Sequence, residues 1–178
     1  AGKITHFTAM QRIFSNIYAP EEKVRAVLDD MGLDPRLAES VNALRAKGWD
    51  IVVASAGCLW YIDILLKKAG VDLEVHANPG TYAEGGPLRI ELPENDPFLS
   101  RKTGIDKAAI VQHHLSRGAT VAFAGDGYTD LAPALLTPPR LRFARAALAD
   151  MLAERDETFQ AFETWSEVAG SLLAYGHD

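Results

Sequence analysis

The octapeptide 123–130 carries the side chains best suited to chemistry in this sequence. An apolar run over residues 120–124 enters a Gly-Asp-Gly turn at 125–127, and Asp130 follows four residues after Asp126. This pattern is typical of a buried parallel strand that opens into a loop at the sheet edge where α/β proteins bind ligands. Two neighbouring carboxylates favour a cation between them, and Mg²⁺ binds through one or two carboxylates plus a substrate phosphate. A polar loop with helix-capping aspartates explains the same residues, so both interpretations stay open.

Ser55 is a second candidate, because it follows the apolar run 51–54 and precedes Ala56 at the start of a predicted helix. Its hydroxyl and the free backbone N–H groups there suit an anion. Taken alone, however, the pattern favours a serine that caps the helix. The sequence argues against Ser55 as a hydrolase nucleophile, since the nucleophile elbow needs glycine where Val53 stands. The ends of parallel strands share one sheet edge, so Ser55 and Asp126 are predicted to lie at the same edge.

Lys107 is the third candidate, at the entry of a predicted helix over residues 106–117. An ammonium group near a helix N-terminus is unfavourable for the helix dipole, so a phosphate or a carboxylate nearby would compensate it. Most lysines are solvated surface residues, which is the alternative interpretation. Lys102 competes for the same role, and Asp106 is placed to neutralise Lys107 locally.

Hydrophobic periodicity predicts the elements that must position these side chains. The pattern indicates helices over 5–18, 20–31, 34–47, 59–69, 106–117, 145–154 and 163–174, a short helix after Asp130, strands over 50–55, 73–76, 120–124 and 141–143, and a hairpin within 78–104. From residue 35 onward helices and strands alternate, which implies an α/β fold, a doubly wound parallel sheet with helices on both faces. Residues 1–33 are purely helical and stand apart from the α/β core predicted over 34–178.

Size and composition exclude several classes of protein. A chain of 178 residues with 48% hydrophobic residues is most simply one domain with room for a small appendage. The net charge of −6 and the lack of a Lys/Arg cluster argue against a nucleic-acid partner. The single cysteine, Cys58, excludes an intramolecular disulfide and fits a reducing compartment. No apolar run reaches membrane-span length and no signal-peptide core is present, so we expect a cytoplasmic protein without a membrane partner.

Together these sites resemble a known family. Ser55 after a strand, Lys107 before a helix and the loop Gly-Asp-Gly-x-x-Asp at 125–130 are similar in order and spacing to motifs two, three and four of the haloacid dehalogenase (HAD) superfamily. Within it the chain resembles the phosphoserine phosphatase-like branch, which includes the phosphatases of methionine salvage. The resemblance covers roughly residues 36–150. Residues 1–33 resemble the remnant of the helical cap that this branch inserts after its first motif.

The resemblance implies a Mg²⁺-dependent phosphatase acting on a small phosphorylated metabolite. Ser55 and the Ala56 amide would hold the phosphoryl group, and Lys107 would neutralise charge on the phosphate and the nucleophile. Asp126 would ligate Mg²⁺, and Asp130 would position a metal-bound water or brace the loop. Ala56 stands where the family commonly has glycine, a small change if only the backbone N–H is used.

The family's first motif, Asp-x-Asp-Gly-Thr, does not occur in these 178 residues, and its place would be before Ala1. One hypothesis is that the chain is a fragment, inactive alone, of an enzyme that forms an aspartyl-phosphate on an upstream aspartate. The other is a non-catalytic phosphate-ligand binding protein with the same fold. The missing initiator methionine and the cap remnant favour the fragment. A response-regulator-like receiver also combines an acidic Mg²⁺ site with a lysine, but it has no cap and places its acids after other strands.

Overall fold

The computed structural model describes residues 4–83 and 85–175, and these divide into two compact units. The first unit takes the described residues of Ala1–Pro35 together with Ile51–Asp106. The second takes Arg36–Asp50 together with the described residues of Lys107–Asp178. Within the described ranges, every helix is too short or too polar to cross a membrane.

Eight α-helices and nine short strands make up the described chain. The helices are α1 (His6–Phe14), α2 (Glu21–Asp30), α3 (Leu37–Ala46), α4 (Leu59–Ala69), α5 (Lys107–Ser116), α6 (Leu131–Leu135), α7 (Ala146–Ala153) and α8 (Trp165–Leu173). The strands are β1 (Val52–Cys58), β2 (Glu74–Asn78), β3 (Gly80–Tyr82), β4 (Leu88–Ile90), β5 (Leu99–Ser100), β6 (Gly104–Ile105), β7 (Phe123–Gly125), β8 (Arg142–Ala144) and β9 (Gln160–Ala161). Every predicted helix and strand is present, so the predicted α/β class is confirmed.

The first unit is built on a parallel pair, β1 and β2. Ala54 pairs with His76, and the ladder resumes only where Cys58 pairs with Asn78, so β1 bulges over residues 55–57. The antiparallel strands β3 and β4 form the hairpin that the paired glycines predict. The pair β5 and β6 was not predicted, because each strand is only two residues long.

The core of the first unit lies under α1 and β4. Its buried members are Phe7, Phe14, Cys58, Leu88 and Ile90. Thr5 caps α1 by accepting a hydrogen bond from the Thr8 N–H, which starts the helix so that its apolar stripe faces this cluster. Helix α4 ends where Gly70 adopts φ 69°, a left-handed conformation that glycine adopts without strain.

The second unit contains the parallel sheet β7-β8-β9. Gly125 pairs with Ala144, and Ala144 pairs with Ala161, so the carboxyl ends of the three strands lie at one edge. Helices α6 and α7 supply Ala134, Leu148 and Leu152 to the core beside these strands. Helix α3 packs against α8.

The Cys58 thiol gives the first testable prediction. The side chain is fully buried, and this burial raises the pKa of the thiol. An unfolded chain ionises its thiol at a lower pH than the folded chain, so the folded state loses relative stability as the pH rises above the ordinary thiol pKa. Between pH 8 and 9.5 we expect the free energy of unfolding to fall more steeply than in Cys58→Ala, by up to about 1.4 kcal/mol per pH unit. Urea unfolding at several pH values measures the two slopes, and equal slopes would contradict the assignment.

Candidate active site

The loop after β7 is folded around the carboxylate of Asp130. This residue is buried on the short 3₁₀ turn Tyr128–Asp130, and its Oδ2 accepts hydrogen bonds from the N–H groups of Asp126 at 3.1 Å and Gly127 at 2.9 Å. A Cβ on Gly125 would lie 2.8 Å from the Cγ of Asp130, closer than packed carbon atoms approach. Glycine at 125 is therefore what lets the Asp130 carboxylate reach the loop backbone.

Lys107 is the partner of the other Asp130 oxygen. Its Nζ donates to Oδ1 at 2.6 Å, and the two side chains are 12% and 4% exposed. Helix α5 begins at Lys107, so the carboxylate supplies the negative neighbour that an ammonium group at this end of a helix requires. Lys107 is thus not a solvated surface lysine. Lys102, the competing cation, is exposed.

Asp126 differs from Asp130 in being open to solvent. Its side chain is 56% exposed, and its Oδ2 lies 3.3 Å from Nη2 of Arg145, which is itself 44% exposed. An ion pair this exposed contributes little to stability, so the Asp126 carboxylate remains available to a cation. The Arg145 backbone N–H also donates to the Gly125 carbonyl at 3.2 Å, which ties the loop to the end of β8.

Arg145 was missed by the sequence reasoning, although a signal was present. It follows the predicted strand over 141–143, and parallel strands bring their carboxyl ends to one edge. The same rule placed Asp126 at the end of the strand predicted over 120–124. Used for the strand over 141–143, it would have placed Arg145 beside the loop that contains Asp126.

Ser55 lies in the bulge of β1, within the first unit. Its Oγ accepts a hydrogen bond from the Gly57 N–H at 3.0 Å.

The prediction that Ser55 caps a helix was wrong, because the N-cap residue of α4 is Cys58. Strand β1 runs on through the bulge, which moves the helix start three residues beyond Ser55. Since Oγ already accepts from Gly57, the hydroxyl hydrogen is left to donate to a ligand.

Aromatic residues also flank this bulge. Trp60 and Tyr61 line an apolar cavity of about 510 Å³ together with Phe14, Val24 and Leu28. The Tyr61 hydroxyl lies 1.9 Å from where a Cβ on Gly57 would stand, so its ring reaches from the cavity to the bulge. Burial raises the pKa of the Tyr61 phenol further above its ordinary value.

The acidic loop can be tested for its fit to Mg²⁺. In residues 4–83 and 85–175, no three His, Cys, Asp or Glu side chains converge as a ready-made metal site. Mg²⁺ needs less than that, because it keeps several waters and binds through one or two carboxylates plus substrate phosphate. Asp126 offers an exposed all-oxygen donor, whereas both Asp130 oxygens are engaged by Lys107 and the loop backbone. The residues present therefore fit an ion held through Asp126, with Asp130 holding the loop.

Sequence comparison assigns most of the chain to one group of proteins. The haloacid dehalogenase-like hydrolase family matches residues 2–135. No curated protein matches the chain.

Three solved structures share the fold. A probable phosphoserine phosphatase from Vibrio cholerae, in its unliganded form, has a TM-score of 0.57 at 24% identity, with 88% of this chain and 48% of that one covered. A HAD family hydrolase from Salmonella enterica serovar Typhi has a TM-score of 0.59 at 22% identity, with 88% and 50% covered. A cytosolic 5'-nucleotidase IIIB bound to cytidine has a TM-score of 0.55 at 17% identity, with 94% and 61% covered. The chain spans about half the length of the first two proteins.

Proposed function

The chain belongs to the haloacid dehalogenase-like hydrolase family, and from this premise we propose that the full-length protein is a Mg²⁺-dependent phosphatase acting on a small phosphomonoester. The observation that carries the proposal is the buried contact between Lys107 and Asp130 at the end of β7, beside the exposed carboxylate of Asp126. A lysine held this way places a fixed positive charge next to a carboxylate suited to Mg²⁺. That combination suits phosphoryl transfer, since catalysis there is mostly positioning and charge stabilisation.

Each residue has a distinct task in this proposal. Asp126 holds Mg²⁺, which when bound supplies positive charge to the phosphoryl oxygens. The Lys107 ammonium has three N–H donors. One donates to Asp130, which leaves two for the phosphate. Ser55 donates its hydroxyl, and Ala56 its backbone N–H, to a phosphoryl oxygen. Asp130 keeps Lys107 and the loop in place.

The nucleophile is proposed to be an aspartate that precedes residue 1 in the full-length protein. Its carboxylate oxygen attacks phosphorus, the bond to the ester oxygen breaks, and the departing alcohol takes a proton from a general acid. Water then attacks the aspartyl-phosphate, which releases inorganic phosphate and restores the aspartate. Uncatalysed phosphomonoester hydrolysis is among the slowest biological reactions, so residues 1–178 alone should show little turnover.

Residues 1–33 are proposed to be the remnant of a helical cap, which excludes water and selects the leaving group. Phe14 of α1 and Val24 of α2 line the apolar cavity, so this part of the chain offers a surface to the organic part of a substrate. The substrate is proposed to be a small phosphorylated metabolite, and the protein to be cytoplasmic.

Removing and restoring the metal tests the proposal. The full-length protein is treated with EDTA, dialysed and assayed with p-nitrophenyl phosphate and a panel of small phosphomonoesters. We expect hydrolysis to return with Mg²⁺ by a factor of about 100 or more, because the metal stabilises charge that otherwise lacks a partner. Ca²⁺ serves as the control, since it prefers more ligands at longer distances and should restore far less.

The same assay separates the enzyme from the alternative, a phosphate-ligand binding protein. A binding protein would take up inorganic phosphate in a calorimetric titration yet would hydrolyse no ester under any metal condition. Hydrolysis that is equally fast in EDTA would instead remove Mg²⁺ from the proposal.

A further inference from the structure

Asn78 is a buried amide whose nitrogen makes a hydrogen bond and whose oxygen makes none among the described residues. The side chain is 0% exposed, and its Nδ2 donates to the carbonyl of Ala56 at 2.8 Å. Its Oδ1 has no hydrogen-bond partner among the described residues. An unpaired buried acceptor lowers the stability of the folded state. A buried asparagine at this position therefore indicates that the hydrogen bond made by its Nδ2 has a structural role.

The bulge of β1 explains why that bond is needed. The parallel ladder pairs Ala54 with His76 and next Cys58 with Asn78, so residues 55–57 stand opposite Ala77 alone. The β ladder is disrupted at such a bulge and does not supply a hydrogen-bond donor to every carbonyl group there. The Asn78 side chain reaches across from the partner strand and takes the place of the missing ladder contact.

One planar peptide group links Asn78 to Ser55. The Ala56 carbonyl and the Gly57 N–H belong to the same peptide unit, which is rigid and planar. Asn78 holds the carbonyl end at 2.8 Å, and the N–H end donates to the Ser55 Oγ at 3.0 Å. Fixing the carbonyl therefore fixes the direction of the N–H, and with it the orientation of the Ser55 hydroxyl.

Gly104 of β6 completes the arrangement by making room for the amide. A Cβ there would lie 1.8 Å from the Asn78 Oδ1 and 2.5 Å from its Cγ. Only glycine lets the backbone lie this close to the side chain, and Gly104 also adopts φ +88°, which other residues rarely adopt. The Asn78 amide is thus held between two backbone segments and has one orientation.

We propose that Asn78 is a positioning residue that acts through Ser55, by locking the peptide between Ala56 and Gly57 so that the Ser55 hydroxyl points at the phosphoryl group. This inference rests on the proposed function, because it takes Ser55 to be a phosphate contact. Asn78 does not itself touch the substrate. Its loss should weaken phosphate binding about tenfold or more, the scale of one misplaced hydrogen bond to a charged ligand.

A double-mutant cycle in the full-length protein tests the proposal. Ser55→Ala, Asn78→Leu and the double variant are compared by kcat/KM for p-nitrophenyl phosphate and by the inhibition constant of inorganic phosphate. Leucine keeps the branching of asparagine. It removes the unpaired Oδ1 and leaves the Ala56 carbonyl unpaired instead, so the number of unpaired acceptors is unchanged and we expect the thermal unfolding midpoint to be retained while phosphate inhibition weakens. In the Ser55→Ala background, Asn78→Leu should cause no further loss, because the residue it positions is gone.

Gly104→Ala gives a second route to the same result. The added methyl group would displace the Asn78 amide, so phosphate inhibition should weaken as in Asn78→Leu. Gly48→Ala is the matched control, since Gly48 has φ +83° but nothing within 4 Å of the added methyl group. It should leave phosphate inhibition unchanged.

The outcomes separate this inference from the proposed function. Additive losses in the cycle, or full phosphate affinity in folded Asn78→Leu while Ser55→Ala is impaired, would overturn the role of Asn78 alone. Wild-type activity and phosphate inhibition in Ser55→Ala would remove Ser55 from the phosphate site and overturn this inference, while the hydrolysis itself would still support the proposed phosphatase. The proposed function is overturned only if the wild-type protein hydrolyses no ester under any metal condition. If Asn78→Leu does not fold, the comparison of Gly104→Ala with Gly48→Ala decides the question.

Discussion

Replacing Lys107 with methionine should lower the free energy of unfolding by about 3–5 kcal/mol, because it leaves a buried carboxylate without its partner. The Asp130 side chain is only 4% exposed, and Lys107 lies 2.6 Å from its Oδ1. The same change should slow phosphomonoester hydrolysis by the full-length protein about 100- to 1000-fold, as expected when one fixed positive group is removed from a developing charge. Urea unfolding measures the first effect and initial rates measure the second.

Two further variants make this prediction sharper. Lys102→Met is the control, since Lys102 is exposed, and it should change stability by no more than about 0.5 kcal/mol. Adding Asp130→Asn to Lys107→Met removes the stranded charge but keeps an oxygen acceptor for the loop N–H groups, so it should recover part of the lost stability, but no activity. A loss below about 1 kcal/mol in Lys107→Met would mean that the pair is a surface contact and would contradict its role in holding the loop.

Arg142→Met should be the most damaging change outside the candidate active site. The guanidinium group is buried and donates four hydrogen bonds. Its Nε donates to the Ala134 carbonyl at 2.8 Å, Nη2 to the Thr137 carbonyl at 2.9 Å, and Nη1 to Glu157 and to the Thr158 carbonyl. Methionine would leave these acceptors unpaired, so we expect a loss of about 3–5 kcal/mol in the free energy of unfolding.

Arg142→Lys tests whether the planar geometry of the guanidinium group matters. We call Arg142 and the four groups that accept its hydrogen bonds the Arg142 hub. A single ammonium group cannot reproduce the planar fork of donors, so lysine should recover little of the stability. Arg155→Met is the matched control, because Arg155 is exposed and its guanidinium group donates a hydrogen bond to the Met151 carbonyl. Chemical denaturation that showed equal losses for the two methionine variants would rule out the hub.

Helices and strands were predicted well where hydrophobic periodicity agrees with the glycine and proline residues that begin or end an element. The helix over 59–69, bounded by apolar spacing and a glycine stop, has those bounds in the structure. The position of Lys107 at a helix start required a negative neighbour, and Asp130 is that neighbour. What could not be derived was which acid contacts the lysine, because that depends on how the loop after β7 folds back on itself.

Other features were missed because their causes are not local. The β1 bulge arises from its register against β2, and it moves Ser55 away from the start of α4. Asn78 lies just past the predicted end of the second strand, and only its contacts with Ala56 and Gly104 reveal its position. The strand β9 is two residues long and carries no periodicity.

The most direct test of the proposed phosphatase site is the effect of Asp126→Ala on hydrolysis and on stability in the full-length protein. Because the Asp126 side chain is 56% exposed, its loss should change the free energy of unfolding by no more than about 0.5 kcal/mol. Hydrolysis of p-nitrophenyl phosphate in saturating Mg²⁺ should nevertheless fall about 100-fold or more, because the proposed metal ligand is gone. Asp150→Ala, at an exposed aspartate, should leave both quantities unchanged. If the Asp126→Ala protein still hydrolyses the ester at the wild-type rate, the metal site is not at this loop.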